Sequence, residues 1–191
     1  MNRKKAIFSM FVLGGGVAAT YSGYKFYSIS RQPDFAFLEN NILLIAELAE
    51  TLIPATDTPG ARDVQAELAI VSLIKKAADK KTQNNFIEGL KDVNGFANDQ
   101  YDKEFTQLTK PQKQEVVSHF ARRGKNFSGL LGKARNKLLG KSFFDILKYY
   151  TTVAYCTSRK GATQALAYDY VPGKYQGCIP LTAGQKSWAT K

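Results

Sequence analysis

One histidine, His119, and two cysteines, Cys156 and Cys178, are the whole stock of imidazole and thiol in 191 residues. A structural zinc site drawing four ligands from Cys and His lacks donors, and no Cys-x-x-Cys-His run exists to attach a haem. The sequence therefore argues against metal or haem chemistry in this chain, and it assigns no catalytic, cofactor-binding or metal residue. Alternation of apolar and polar residues, the mark of a half-buried strand, is also missing throughout. Acidic residues are scarce late in the chain: residues 121–191 hold thirteen Lys/Arg against only Asp145 and Asp169. What is present is apolar material, with 44% hydrophobic and 12% aromatic residues. That is enough for one core of ordinary domain size and excludes disordered and collagen-like classes.

Charge changes sign along the chain. Residues 1–33 carry five basic side chains and no acid, residues 34–120 a balance of −5, and residues 121–191 a balance of +11. Within the last block Arg122, Arg123, Lys125, Lys133, Arg135, Lys137 and Lys141 form a run free of acids and broken by Gly124, Gly129, Gly132 and Gly140. A solvated loop is the simplest reading. Anionic lipid or an acidic protein are the sharper ones. Nucleic acid is not expected, because no binding motif frames the run.

Arg3, Lys4 and Lys5 precede an uncharged stretch from Ala6 to Tyr24. This is the order of an export signal, and its nineteen residues just reach across a hydrocarbon core of about 30 Å. Cleavage near Val17–Thr20 and retention as an anchor both stay open; in either case the basic residues stay cytoplasmic. Gly14, Gly16 and Ala19 also fit the loose G-x-G-x-x-A dinucleotide pattern, but that fingerprint needs flanking parallel strands and none follow. The expected organisation is a signal or anchor over 1–26, a linker over 27–36, a helical domain over 37–181 and a short tail over 182–191.

Leu38, Ile42, Ile45, Ala49 and Leu52 advance by four and three, the stripe of one α-helix, which Pro54 stops. A second segment from about Asp63 to Asp79 is apolar on more than one face, which predicts a central position. Phe86, Leu90, Val93 and Ala97 mark a third. Thr109 and Gln112 form a reciprocal cap for a fourth, with Pro111 in its first turn and Val116, Val117 and Phe120 inside. Ser142 with Asp145 opens a fifth, to about Thr157. The fold class is an all-α bundle, preceded by the signal or anchor helix, with irregular parts at 121–141 and in a long tail after Tyr168.

His119 lies mid-helix without the partners a general base needs, so a structural role is expected; an enzyme acting through it or the cysteines is the remote rival. Glu47 and Glu50 share a face that solvent exposure explains. For Cys156 and Cys178 a disulfide is expected, either between them or from one to a partner subunit. Packing does not account for two segments. The first, TLIPATDTPGA over 51–61, brackets Thr56, Asp57 and Thr58 between prolines, where their side chains are expected to cap loop amides. The second, 154–181, sets Tyr155, Tyr168, Tyr170 and Tyr175 in a segment of little helical character, suited to protein contact.

Together the leader, LIPATDTPGA and TSRKGATQALAYDYVPGKYQGC resemble the gluconate 2-dehydrogenase subunit 3 family, over about residues 40–181. The resemblance implies a small non-catalytic helical subunit of a membrane-associated periplasmic dehydrogenase. In such a complex a large flavoprotein of the glucose-methanol-choline type holds FAD and oxidises a sugar or sugar acid, often passing electrons to a cytochrome c. The small subunit escorts it through the twin-arginine pathway and stabilises it. Here Arg3 is followed by Lys4, where that pathway uses two arginines. Partner contact is expected at Pro54, Asp57, Pro59 and Gly60, and at Tyr168, Tyr170, Pro172, Gly173, Tyr175 and Cys178. The alternative function is an independent membrane-tethered helical adaptor for anionic lipid or an acidic periplasmic protein.

Overall fold

The structure, a computed structural model, describes residues 27–28, 30–124, 137, 139–171, 173–174, 177–178 and 180–189. The expected leader, the middle of the basic run, Pro172 and Tyr175 lie outside the described residues. Every regular element among the described residues is helical, apart from one isolated bridge between Ala167 and Trp188.

The first helical stripe folds as two pieces, α1 (Phe35–Asn40) and α2 (Ile42–Leu52). Asn41 divides them, because its side-chain amide donates to the Phe37 carbonyl at 2.8 Å while its own backbone leaves the helical region. Such local side-chain bonding competes with the helical ladder, and a single continuous helix was the sequence expectation. On α2 the buried set is Leu44, Ile45, Ala46, Leu48 and Ala49, a face slightly rotated from the expected stripe, and Leu43 is exposed.

Next comes α3 (Ala66–Ala77), which buries Ala66, Ile70, Val71 and Ile74 on one face and leaves Leu68 half exposed. The expected central position therefore goes elsewhere. It falls to α6 (Phe143–Thr157), which packs against α2, α3, α4 (Lys80–Tyr101) and α5 (Lys110–Gly124). The Ser142 cap is made, the Asp145 amide donating to Ser142 Oγ at 3.2 Å, whereas the reciprocal Thr109–Gln112 pair is made in one half: the Thr109 amide donates to Gln112 Oε1 at 3.0 Å, and Thr109 Oγ1 donates to that same oxygen at 2.9 Å. Residues 121–124, expected to be irregular, are the last turn of α5, and Lys137 and Leu139 are helical as well; most of the segment between them lies outside the described residues.

Three successive amides of α4 are buried and tie separate segments to it. Gln83 Nε2 donates to the Ile74 and Lys75 carbonyls, closing the end of α3. Asn84 Nδ2 donates to the Arg31 carbonyl at 2.8 Å, and Asn85 Nδ2 to the Leu139 carbonyl at 2.7 Å. Each bond satisfies a carbonyl that no ladder reaches, so these polar residues fix where the chain enters the bundle and where it returns to it.

Candidate functional site

Ile53 ends α2 and Pro54 begins the proline-bracketed loop. The loop is folded back on α2 by carboxylates rather than by its own hydroxyls. Glu50 accepts from the Ala55 amide at 3.0 Å and from the Arg62 amide at 2.9 Å, so one side chain clasps both ends of the loop. Asp63 Oδ2 accepts from the Gly60 amide at 2.8 Å, and the Ala61 amide donates to the Ile53 carbonyl at 2.9 Å. The expected caps from Thr56, Asp57 and Thr58 are not what holds the loop; Thr56 and Thr58 bond to each other across the tip, and Asp57 is exposed.

Gly60 is required by close approach. A Cβ there would lie 2.6 Å from the Ala55 nitrogen and from both Glu50 carboxylate oxygens. Gly60 is buried, so it shapes the loop from behind, whereas Pro54 is exposed and Pro59 half-buried. Glu47, one turn before Glu50, pairs with Arg62 of the loop and with Lys113 of α5, the latter at 2.7 Å with both side chains mostly buried. Solvent exposure is therefore the wrong account of Glu47 and Glu50. They link helix, loop and neighbouring helix, and the expectation failed because their partners are distant or lie past a chain reversal.

The second segment meets the first. Tyr155 is buried inside α6, contrary to its expected place in an irregular tail, and its hydroxyl donates to the Pro59 carbonyl at 2.7 Å. Lys160 Nζ donates to the Asp63 carbonyl at 3.2 Å. Past α6, Ser158 Oγ accepts from the Gly161 amide at 3.0 Å and starts a π-helical turn, Gly161–Ala165. TDTPGA and TSRKGA, nearly a hundred residues apart in the chain, thus share one surface.

Beyond that turn the described part of the chain is irregular, as expected, apart from the Ala167–Trp188 bridge. Its start is pinned to its end: the Ala167 amide donates to the Ser187 carbonyl at 2.8 Å, and the Ala189 amide to the Ala167 carbonyl at 2.9 Å. Tyr168 is 44% and Tyr170 87% exposed, joined by Val171, Leu181 and Trp188. The last three were missed from sequence, although a lone tryptophan near a chain end is a signal. Gly173 and Cys178 are exposed. Cys156 and Cys178 are each a free thiol, the first half-buried.

His119 stacks on Phe96 with ring centroids 4.2 Å apart and meets Phe120 edge-on, a packing role. Among the described residues no three His, Cys, Asp or Glu side chains gather as metal ligands, and no helix is long and apolar enough to cross a membrane. The geometry defines a class: an all-α bundle that presents a clasped loop beside the end of its central helix. A model of the gluconate 2-dehydrogenase subunit 3 family matches residues 39–173, more than half of the chain, and the chain belongs to that family. No curated protein and no solved structure matches it.

Proposed function

We propose that this chain is a non-catalytic subunit that escorts and stabilises a periplasmic FAD-dependent dehydrogenase acting on a sugar or sugar acid. The partner is a large subunit of the glucose-methanol-choline type that holds the FAD. Residues 1–26 serve as export signal or inner-membrane anchor. The observation that carries the reading is the joining of the two family motifs through Tyr155–Pro59 and Lys160–Asp63 into one exposed surface. Packing needs of the bundle alone do not explain why an exposed loop is held by so many bonds. A loop fixed before binding loses less entropy on docking, which is how a small accessory surface gains affinity.

The exposed aromatics after Ala167 supply the second part of the contact, since Tyr and Trp bury large areas at small entropic cost. The test is co-purification of the tagged full chain from its native membrane. A yellow, FAD-containing large subunit in the same fraction is the expected result; a chain that elutes alone and colourless overturns the reading. A neighbouring flavoprotein gene without its own export signal would further support escort, and one that carries such a signal would remove the need for it.

A further inference from the structure

On another part of the molecule lies a pocket of about 280 Å³, whose lining includes Asp79, Lys81, Lys137, Gly140, Lys141 and Tyr149. Three lysines contribute to the lining of this one pocket. Its wall is built rather than accidental. Gly140 adopts φ +83°, open to glycine without strain, and a Cβ there would stand 2.7 Å from Asn85 Nδ2 and 2.9 Å from Lys81 Cγ. That close approach brings Lys137, Leu139 and Gly140 against α4, where Lys81 Nζ donates to the Lys137 carbonyl at 2.9 Å and Asn85 holds the Leu139 carbonyl. Lys141 Nζ sits 5.3 Å from the centroid of the Tyr149 ring. The one acid in the lining, Asp79, is engaged by the Thr82 amide at 3.0 Å as the cap of α4. The lining thus carries a net positive charge and suits an anion.

The surroundings say which anion. The end of α5 with Arg122 and Arg123 lies against Ser142, next to Lys141, because a Cβ on Gly124 would meet Ser142 Oγ at 2.8 Å. On α4, one and two turns from Lys81, Asn84 and Glu88 bind Arg31 through its carbonyl and its guanidinium. Arg31 is where the chain comes in from the uncharged stretch that ends at Tyr24. Seven residues reach at most about 25 Å fully extended, so a bilayer holding that stretch lies within that distance of Arg31. Tyr27 and Tyr149 are exposed, and tyrosine is enriched at the headgroup level of bilayers.

We propose that this pocket binds the phosphate of an anionic phospholipid headgroup, with Lys81, Lys137 and Lys141 as its cationic wall and Tyr149 at its rim. The inference needs residues 6–24 to meet a membrane but does not depend on the dehydrogenase partner. The headgroup would fix the bundle's orientation on the bilayer surface. The same chemistry is offered by free phosphate, and the test separates the two.

The full chain in a neutral detergent is titrated with phosphatidylglycerol, with phosphatidylcholine and with inorganic phosphate, and retained lipid is counted by native mass spectrometry. Phosphatidylglycerol is expected to bind one per chain and in preference to phosphatidylcholine, whose choline cancels the charge. Lys141→Gln is expected to weaken it about fivefold, and the double change with Lys137→Gln about thirtyfold. Lys148→Gln removes the same charge from α6 outside the pocket lining and is expected to change nothing. Equal retention of the two lipids, or equal weakening by Lys148→Gln and Lys141→Gln, overturns the proposal. Displacement of the lipid by phosphate at equal concentration also overturns it and assigns the pocket to a soluble anion.

Discussion

The loop over 54–62 and the described residues after Ala167 are both irregular, both rich in turn residues and both part of the surface proposed to meet a partner, yet they are held in opposite ways. The loop is clasped by groups from three elsewhere-anchored positions: Glu50 on α2, Asp63 before α3 and Tyr155 on α6. The described residues of the later segment are joined by backbone bonds from Ala167 to Ser187 and Ala189, and Lys186 donates to the Gln164 carbonyl. It shows its aromatics to solvent instead of burying them. The difference teaches how the surface divides its work. In the proposed contact the loop would supply a preset shape and the tail exposed apolar area.

That contrast predicts a graded series. Gly60→Ala, which drives a methyl into the Ala55 nitrogen and the Glu50 carboxylate, is expected to cost about 3 kcal/mol by urea denaturation. A cost under about 0.5 kcal/mol would show that the loop is not clasped. Glu50→Ala frees two amides at once and is expected to cost about 2 kcal/mol. Tyr155→Phe removes only the bond to the Pro59 carbonyl, with about 1 kcal/mol expected and faster amide exchange confined to the loop. Exchange that speeds up across α6 as well would mean that the hydroxyl serves the core.

Asp79→Ala is a yardstick outside both regions, because it deletes an ordinary helix cap, again for about 1 kcal/mol. Hydrogen bonding from Thr82 holds the Asp79 carboxyl below its ordinary value. Its folded pKa is thus the lower one, so its contribution is complete above pH about 4 and fades as the pH falls through that lower folded value. The gap between wild type and Asp79→Ala should therefore narrow in acid, measured as melting temperature against pH. Smallest on stability is the triple change Tyr170→Ser, Val171→Ser, Leu181→Ser, expected within about 0.5 kcal/mol of wild type because all three side chains are exposed. It is nonetheless expected to abolish retention of the large subunit. Retention unchanged in this variant but lost in Glu50→Ala would place the whole contact on the loop.

Signals confined to one helical turn are legible in the amino-acid order alone. Thr109 with Gln112 and Ser142 with Asp145 form their caps because donor and acceptor are three residues apart, and such pairs need no tertiary help. The all-α class follows from apolar spacing in the same way. Harder to read are residues whose role depends on a return of the chain. Glu47 and Glu50 look like solvated acids until the loop folds over them, and Tyr155 looks like a tail residue until Pro59 arrives beneath its hydroxyl. Asn41 misleads in a different manner, since one side-chain bond breaks a helix whose periodicity runs straight through it.

The sequence by itself determined the helical class, the two main caps, the family and the two segments that packing leaves over, because periodicity, capping and motif spacing are short-range properties of the chain. Only the tertiary structure decided that α6 is central, that the two leftover segments form one surface, and that lysines from positions 81, 137 and 141 line one pocket. Those outcomes depend on which distant carbonyl or carboxylate finds which donor. That is settled by the packing of helices, whose geometry no local stretch of sequence contains.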